Sequence, residues 1–232
     1  MSGKSKPASS RPAPRLYLAT PVMDDPASLA ARLPDLLAGL DIAAVLVRLA
    51  PSDPRSLIER AKLLAKPIQA AGAACLLDNL PDLVARAGAD GAHLRGIEAL
   101  KEALPSLKPD RIAGCGHLAM RHEAMTAGEI GADYVLFGEP DDKGHRPAPD
   151  AIAERLGWWA ELFEPPCVGY AANLTEAAGF AAAGADFILA DDLVWSDDRG
   201  ARAALEGLQA AIGPNADGGF GTALAEGAGI TA

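Results

Sequence analysis

Basic charge, aromatic side chains, cysteine and long apolar runs are all scarce in this chain of 232 residues. Lysine and arginine number 21 against 31 acidic residues, which leaves a net charge of −10. A chain so balanced lacks the basic face that an extended nucleic-acid footprint requires, but keeps room for a compact pocket around one small phosphorylated metabolite. No apolar run approaches the roughly 18 residues of a membrane span. The opening "MSGKSKPASSRPAPR" is basic without the apolar segment of a signal peptide, so the cytoplasm is the expected location. Aromatics make up 5%, which favours closely packed helices over a sandwich of bulky strands. The three cysteines, Cys75, Cys115 and Cys167, are an odd number with no close pair. They read as small buried hydrophobes; Cys115, two residues before His117, is the one placed for a nucleophilic role.

What is abundant is small aliphatic residues, within an apolar share of 50% that is ample for one continuous core. Residues 1–14 and 213–232 are rich in loop formers without periodicity and are expected to be flexible tails. Between them, short apolar runs alternate with longer helical patterns, the signature of a parallel sheet wrapped by crossover helices. Eight strands are expected, over 16–19, 44–49, 73–77, 91–94, 112–115, 134–137, 167–170 and 187–190. Helix starts are marked by Asp25-Pro26 and Asp53-Pro54, an acceptor before a proline at N1, and by Asn173 with Glu176 three residues on. Leu57, Ala61, Leu64 and Ala65 form one apolar stripe for packing on the sheet. Eight such units, with no G-x-G-x-x-G after the first strand, predict a single (β/α)8 barrel over 15–212 rather than a doubly wound sheet.

The tripeptide Gly-Ala-Asp occurs at 88–90, 131–133 and 184–186, each time after an alanine-rich run and before a strand. A glycine there can take the left-handed conformation that stops a helix, and the aspartate is expected to turn the chain into the strand. The other ends of the strands lie on the face where such barrels carry their active sites. They gather Arg48, then Asp78 and Asn79, then His93, Arg95 and Glu98, then Gly116 and His117. The last three strands add Glu139 and Lys143, then Gly169 and Tyr170, then Asp191 and Asp192. Bland roles compete: Arg48 as an interior ion-pair partner of Asp78, and Asp192 as a helix cap. Asp78 and Glu98 are either joint oxygen ligands of Mg2+ or solvated acids at loop starts. His93 is either a satisfied core donor or a catalytic group, and His117, on a loop, is freer to act as acid or base. Trp158 and Trp159 are either a self-association surface for a homo-oligomer or two buried side chains.

Two stretches resemble a known family. "LLDNLPDLVARAGADGAHLRGIE" is similar to the thiamine phosphate synthase pattern IND…D.A…GADGVHLGQ.D. "IAGCGHLAMRHEAMTAGEIGADYVLFGEP" is similar to that family's IG.S.H…EA..A…GADY…G. The resemblance spans about 15–212 and implies a (β/α)8 barrel. It further implies an enzyme that joins hydroxymethylpyrimidine diphosphate to thiazole phosphate and releases diphosphate, with Mg2+ as cofactor and electrostatic catalysis. By this resemblance Asp78 and Glu98 hold Mg2+, Arg48 and Lys143 hold diphosphate, His117 orients the pyrimidine, and His93 matches the family histidine. Asn79, Gly169 and Asp191 fall at substrate-binding positions. The sister group of thiazole tautomerases shares the "YVLFG" strand and implies instead an isomerase with Glu139 as proton-transfer group, assisted by His117. A non-catalytic barrel for a less anionic ligand is the remaining reading.

The chain departs from the family pattern at definite places. Leu46 and Ala50 stand where a glutamine and a lysine flank the arginine, Gly96 replaces a glutamine, and Gly116 replaces a serine. Only one glycine, Gly169, remains of a Gly-Gly phosphate loop, and Asp191-Asp192 stands where a serine would donate to phosphate. A carboxylate beside a phosphate repels it by about 4 kcal/mol per charge pair at an effective dielectric near 20.

Overall fold

The computed structural model describes residues 12–141 and 143–213; the tails expected at 1–14 and 213–232 otherwise lie outside the described residues. Eight parallel strands close into a barrel in sequence order: β1 (Arg15–Ala19), β2 (Ile42–Val47), β3 (Ala74–Asp78), β4 (Gly91–Arg95), β5 (Ile112–Gly116), β6 (Tyr134–Phe137), β7 (Cys167–Ala171) and β8 (Phe187–Ala190). The last pairs with the first, Leu16 opposite Ile188. Helices α1 (Ala27–Leu37), α2 (Pro54–Ala70), α3 (Val84–Ala87), α4 (Ile97–Leu107), α5 (Arg121–Ile130), α6 (Pro149–Leu162) and α7 (Leu174–Ala182) make the crossovers. After β8 come a short helix, α8 (Asp192–Trp195), and α9 (Ala201–Ile212). No helix among the described residues is long and apolar enough to cross a membrane.

Each strand is apolar on both faces because both are covered. Leu16, Leu18, Val45, Val47, Cys75 and Leu77 point outward into the layer between sheet and helices, where α2 buries Leu57, Ala61, Leu64, Ala65 and Ile68. Tyr17, Ala19, Leu46, Leu76, Tyr134, Leu136, Val168 and Leu189 point inward and fill the barrel. Asp53 caps α2 as the sequence predicts, accepting from the Arg55 and Ser56 N–H groups at 3.0 Å. Helix α1 starts one residue later than expected, with Pro26 at the cap and Asp25 accepting the Ala27 N–H at 2.9 Å. Strand β2 runs over 42–47 instead of 44–49. At Arg48 the chain leaves the ladder, its N–H donating to Thr20 Oγ1 at 3.0 Å.

The repeated aspartates do more than turn the chain. Gly88, Gly131 and Gly184 hold φ of 69°, 107° and 103°, ending helices as expected. The aspartate two residues on then clasps the strand next door. The Asp90 N–H donates to Cys75 O at 2.9 Å while Asp90 Oδ2 accepts the Cys75 N–H at 2.8 Å. Asp133 does the same with Ala113 at 2.9 and 2.7 Å, and Asp186 with Cys167 at 2.9 and 2.8 Å. Three reciprocal clasps therefore fix the floor of the barrel at β3/β4, β5/β6 and β7/β8.

The cysteines are free and buried, and Cys115 faces the helix layer with its thiol pushed up to about 12, chiefly by burial, so it is no nucleophile. Trp159 is fully buried and donates to Pro165 O at 2.6 Å, while the Arg121 guanidinium covers Trp158 at 4.9 Å. The two tryptophans form no exposed apolar face.

Candidate active site at the barrel mouth

Strand β4 carries His93 on its inward face, and the side chain is 1% exposed. Its Nδ1 lies 2.9 Å from the Tyr134 hydroxyl and its Nε2 3.0 Å from Glu139 Oε1. Tyr134 in turn meets the Tyr17 hydroxyl at 2.8 Å. Both phenols are held far above their ordinary range by burial and keep their protons. With His93 neutral, Tyr17 donates to Tyr134, Tyr134 to Nδ1, and Nε2–H to the Glu139 carboxylate; with His93 protonated, both ring N–H groups donate and the phenol chain runs from Tyr134 to Tyr17. His93 is thus a satisfied interior group whose outer nitrogen grips an acid at the rim.

Glu139 is aimed inward by Gly138, at φ 94°, just past the end of β6. Its Oε2 accepts the His117 N–H at 2.7 Å, and His117 Nε2 stands 3.7 Å from Oε1. Burial works to raise the Glu139 pKa, but the charge and hydrogen bonds of His93 and the approach of His117 outweigh it and hold the carboxyl below its ordinary value. His117 sits at φ 53°, a left-handed conformation that turns its ring toward the same acid.

Two arginine–carboxylate pairs share the mouth. Arg48 binds Asp191 through both terminal nitrogens, Nη1 to Oδ2 at 2.7 Å, and its Nε donates to Thr20 O at 2.5 Å. Burial raises the Asp191 pKa, an effect that the Arg48 contacts only partly offset. The Tyr170 hydroxyl, 3.4 Å from Asp191, is pushed up to about 12 by burial and by that neighbouring charge. Arg95 takes Asp78 at 2.6 and 3.3 Å. The Arg48–Asp78 pair, weighed above as the bland alternative for Arg48, is not formed, because β8 closes on β1 and brings Asp191 to Arg48. Asp192 does not cap with its side chain; it stands in the first turn of α8, its carbonyl receiving Ser196.

These groups line a cavity of about 240 Å3 bounded by Arg48, Asp78, Arg95, His117, Glu139, Tyr170 and Asp191. A neighbouring cavity of about 350 Å3 shares His117 and Glu139 and adds His145, Arg146 and Arg155. At the opposite end a third, of about 150 Å3, touches Tyr17 and Tyr134.

Other expected site residues stand apart. Asn79 is exposed in a left-handed turn, its N–H donating to His93 O at 2.8 Å. Lys143 lies exposed in a turn held by Asp141. Gly169 is a ladder residue in mid-β7, and a Cβ there would meet Leu156 at 3.0 Å and Phe180 at 3.1 Å, so its small size serves packing against α6 and α7. Glu98 is 82% exposed on α4 and pairs with Lys101 at 2.9 Å. With Asp78 engaged by Arg95, these two acids do not fit the Mg2+ pair expected of them. Among the described residues no group of three or more His, Cys, Asp or Glu is arranged to hold a metal.

Sequence reasoning missed Tyr17, Tyr134, Arg146 and Glu176. The tyrosines carried a signal, as rare polar aromatics inside apolar runs. Arg146 carried none: it lies in a loop, yet binds Gly138 O and Tyr170 O, both at 2.7 Å, and Glu176 at 2.9 Å.

A sequence profile of the family described as Thiamine monophosphate synthase matches residues 16–191. The thiamine-phosphate synthase of Rhodospirillum centenum is 38% identical over 194 residues, covering 82% of this chain and 94% of that one. That of Hyphomonas neptunium is 34% identical over 212 residues, covering 88% and 96%. Among solved structures, thiamine phosphate pyrophosphorylase from Pyrococcus furiosus superposes with a TM-score of 0.68 at 24% identity, over 85% of this chain and 95% of that one, a likeness of fold. Profile, curated relatives and barrel agree, and the chain belongs to the thiamine monophosphate synthase family.

Proposed function

We propose that this barrel is a thiamine phosphate synthase-like transferase that displaces diphosphate from a hydroxymethylpyrimidine with a thiazole nitrogen. The observation that carries this reading is the pair of arginines, Arg48 and Arg95, on the wall of one cavity at the C-terminal end of the strands. The carbon–oxygen bond to diphosphate breaks, the carbon–nitrogen bond to the thiazole forms, and the negative charge that develops on the departing group needs fixed cations. Arg48 is anchored by Thr20 and Asp191, so it presents a positioned guanidinium rather than a flexible one. Diphosphate binding draws Arg95, which is partly exposed, away from Asp78. His117, held by Glu139, borders the ring-binding space and orients the pyrimidine.

The test is incubation of the purified protein with hydroxymethylpyrimidine diphosphate, Mg2+ and the thiazole, in its alcohol and phosphate forms. Release of diphosphate with formation of thiamine or thiamine phosphate supports the reading. Absence of both products, with no heat of diphosphate binding, overturns it. Arg48→Met should lower kcat about a hundred-fold, the loss typical of one transition-state donor.

One observation favours a second reading: Glu139 lies on the cavity wall between two histidines, the arrangement of a proton-transfer site. Its lowered pKa makes it a weak base, which suits it to orienting His117 more than to abstracting a proton. Isomerisation of a thiazole carboxylate phosphate that disappears in Glu139→Gln would establish this alternative, and unchanged turnover would remove it.

A further inference from the structure

We propose that the cavity beside the two-arginine chamber is a second ligand site, built on Arg155, for a phosphate monoester with an apolar body. The proposal stands on that cavity and does not depend on the transferase reading. Arg155 belongs to α6, not to the strand ends from which barrels of this kind draw their catalytic groups.

Four arginines line the two cavities of the mouth. Three of them are neutralised: Arg48 is bound to Asp191, Arg95 to Asp78 and Arg146 to Glu176. Arg155 is partly buried, yet among the described residues no carboxylate pairs with it. Its single partner there is Leu118 O, which Nη1 reaches at 3.0 Å. That bond carries the side chain from α6 to the loop after β5 and fixes the guanidinium. Its Nε and Nη2 have no acceptor among the described residues. A charge withdrawn from water is ordinarily paired and hydrogen-bonded. The Nε–Nη2 edge offers two parallel N–H donors, which match two oxygens of a phosphate. A bound phosphate supplies the counter-charge that the protein does not.

The rest of the wall fits such a ligand. At about 350 Å3 the space falls within the range of small-molecule pockets, about 300–1,000 Å3. Leu118 and Leu136 give it an apolar side, and His117 and His145 add ring nitrogens. Two acids also border it, but each is engaged by donors of its own. Glu139 holds His93 and the His117 N–H. Asp141 accepts the Lys143 and His145 N–H groups at 2.9 and 2.8 Å and faces His145 Nδ1 at 3.3 Å. Because His117 and Glu139 also wall the two-arginine cavity, a ligand held by Arg155 lies beside whatever that cavity binds.

Imidazole resonances test the site. The chain has four histidines. His145 lines this cavity and not the two-arginine one, His117 lines both, and His122, exposed on α5, serves as an internal control. In titration with inorganic phosphate at fixed pH and ionic strength, the His145 signals should shift saturably in wild type while those of His122 stay in place. Arg155→Met should weaken that response at least about ten-fold. Three results in wild type alone overturn the proposal: no saturable shift of His145, a shift confined to His117, or equal shifts at His145 and His122. An undiminished response in Arg155→Met overturns it as well. The same titration with thiazole phosphate separates two sources of the ligand. Saturation of His145 at lower concentration than with inorganic phosphate identifies the ligand as the acceptor substrate, and no response assigns the site to a different phosphorylated metabolite. Absence of transferase activity in wild type removes the transferase reading instead, and the phosphate titration still judges the site.

Discussion

A methyl group on Gly116 would stand 2.7 Å from His93 Nε2 and closer still to Glu139 Oε2, and one on Gly114 would enter the Tyr134 ring. The two glycines alternate on the inward face of β5 and clear the space in which Tyr134, His93 and Glu139 meet. Gly116→Ala should therefore cost about 1–3 kcal/mol as overpacking, and should lower activity further by parting Glu139 from His93. Thermal unfolding read beside kcat checks both, and an active variant of native stability would contradict the packing described. Glu139 also sets a pH dependence. Its carboxyl is held below the ordinary value of 4.5, so its contribution to stability is whole above that pH and is lost as the pH falls through its own lower value. The melting temperature of wild type should drop more steeply below about pH 4.5 than that of Glu139→Gln. Parallel curves would show that the carboxylate is not stabilised as its partners indicate.

Single side chains hold elements together at both ends of the barrel. On the floor, Asp186→Ala removes the acceptor of the buried Cys167 N–H and should destabilise by about 1–3 kcal/mol, measurable as a shift of the urea midpoint at constant slope. At the mouth, the Arg48 guanidinium joins the ends of β1, β2 and β8 through Thr20 O and Asp191, across the seam where the barrel closes. Arg48→Met leaves a largely buried carboxylate without its cation and should cost about 3 kcal/mol. Adding Asp191→Leu should restore most of that stability without restoring transfer activity. Arg202 of α9 closes the outer ring in the same way, donating to Leu36 O and Ala38 O at the end of α1.

At the scale of the molecule, outer and inner cores are separated by the sheet, and among the described residues no strand has a free edge. A closed barrel of this kind cannot lose one crossover without exposing both cores, so unfolding should be a single cooperative transition. Trp159, buried against Phe137 of β6, reports tertiary packing, and far-UV circular dichroism reports the helices. The two should trace one urea transition, and separated midpoints would show independent units. The acidic surface belongs to this scale too. With a net charge of −10 over the chain, Arg48 and Arg95 on the cavity wall are local positive charges on an acidic molecule.

The sequence by itself determined the architecture. Eight apolar runs, their capped crossover helices and the thrice-repeated Gly-Ala-Asp are local patterns, and local patterns report burial and turn geometry directly. It also determined the strand ends at which to search, so His93, His117, Glu139, Arg48 and Asp191 were legible as polar groups gathered there. Partnership among them was not, because the pairs are separated widely along the chain: Arg48 meets Asp191 143 residues away, Tyr17 meets Tyr134 117 away, and Arg146 meets Glu176 30 away. Closure of β8 on β1 gave Arg48 the partner Asp191, which spacing did not suggest, while Asp78 pairs with Arg95 and Glu98 with Lys101 on α4. Spacing along a chain cannot reveal such exchanges, since charges act through distance in space. Only the closed barrel brought carboxylates and cations together and decided which anions the site already contains.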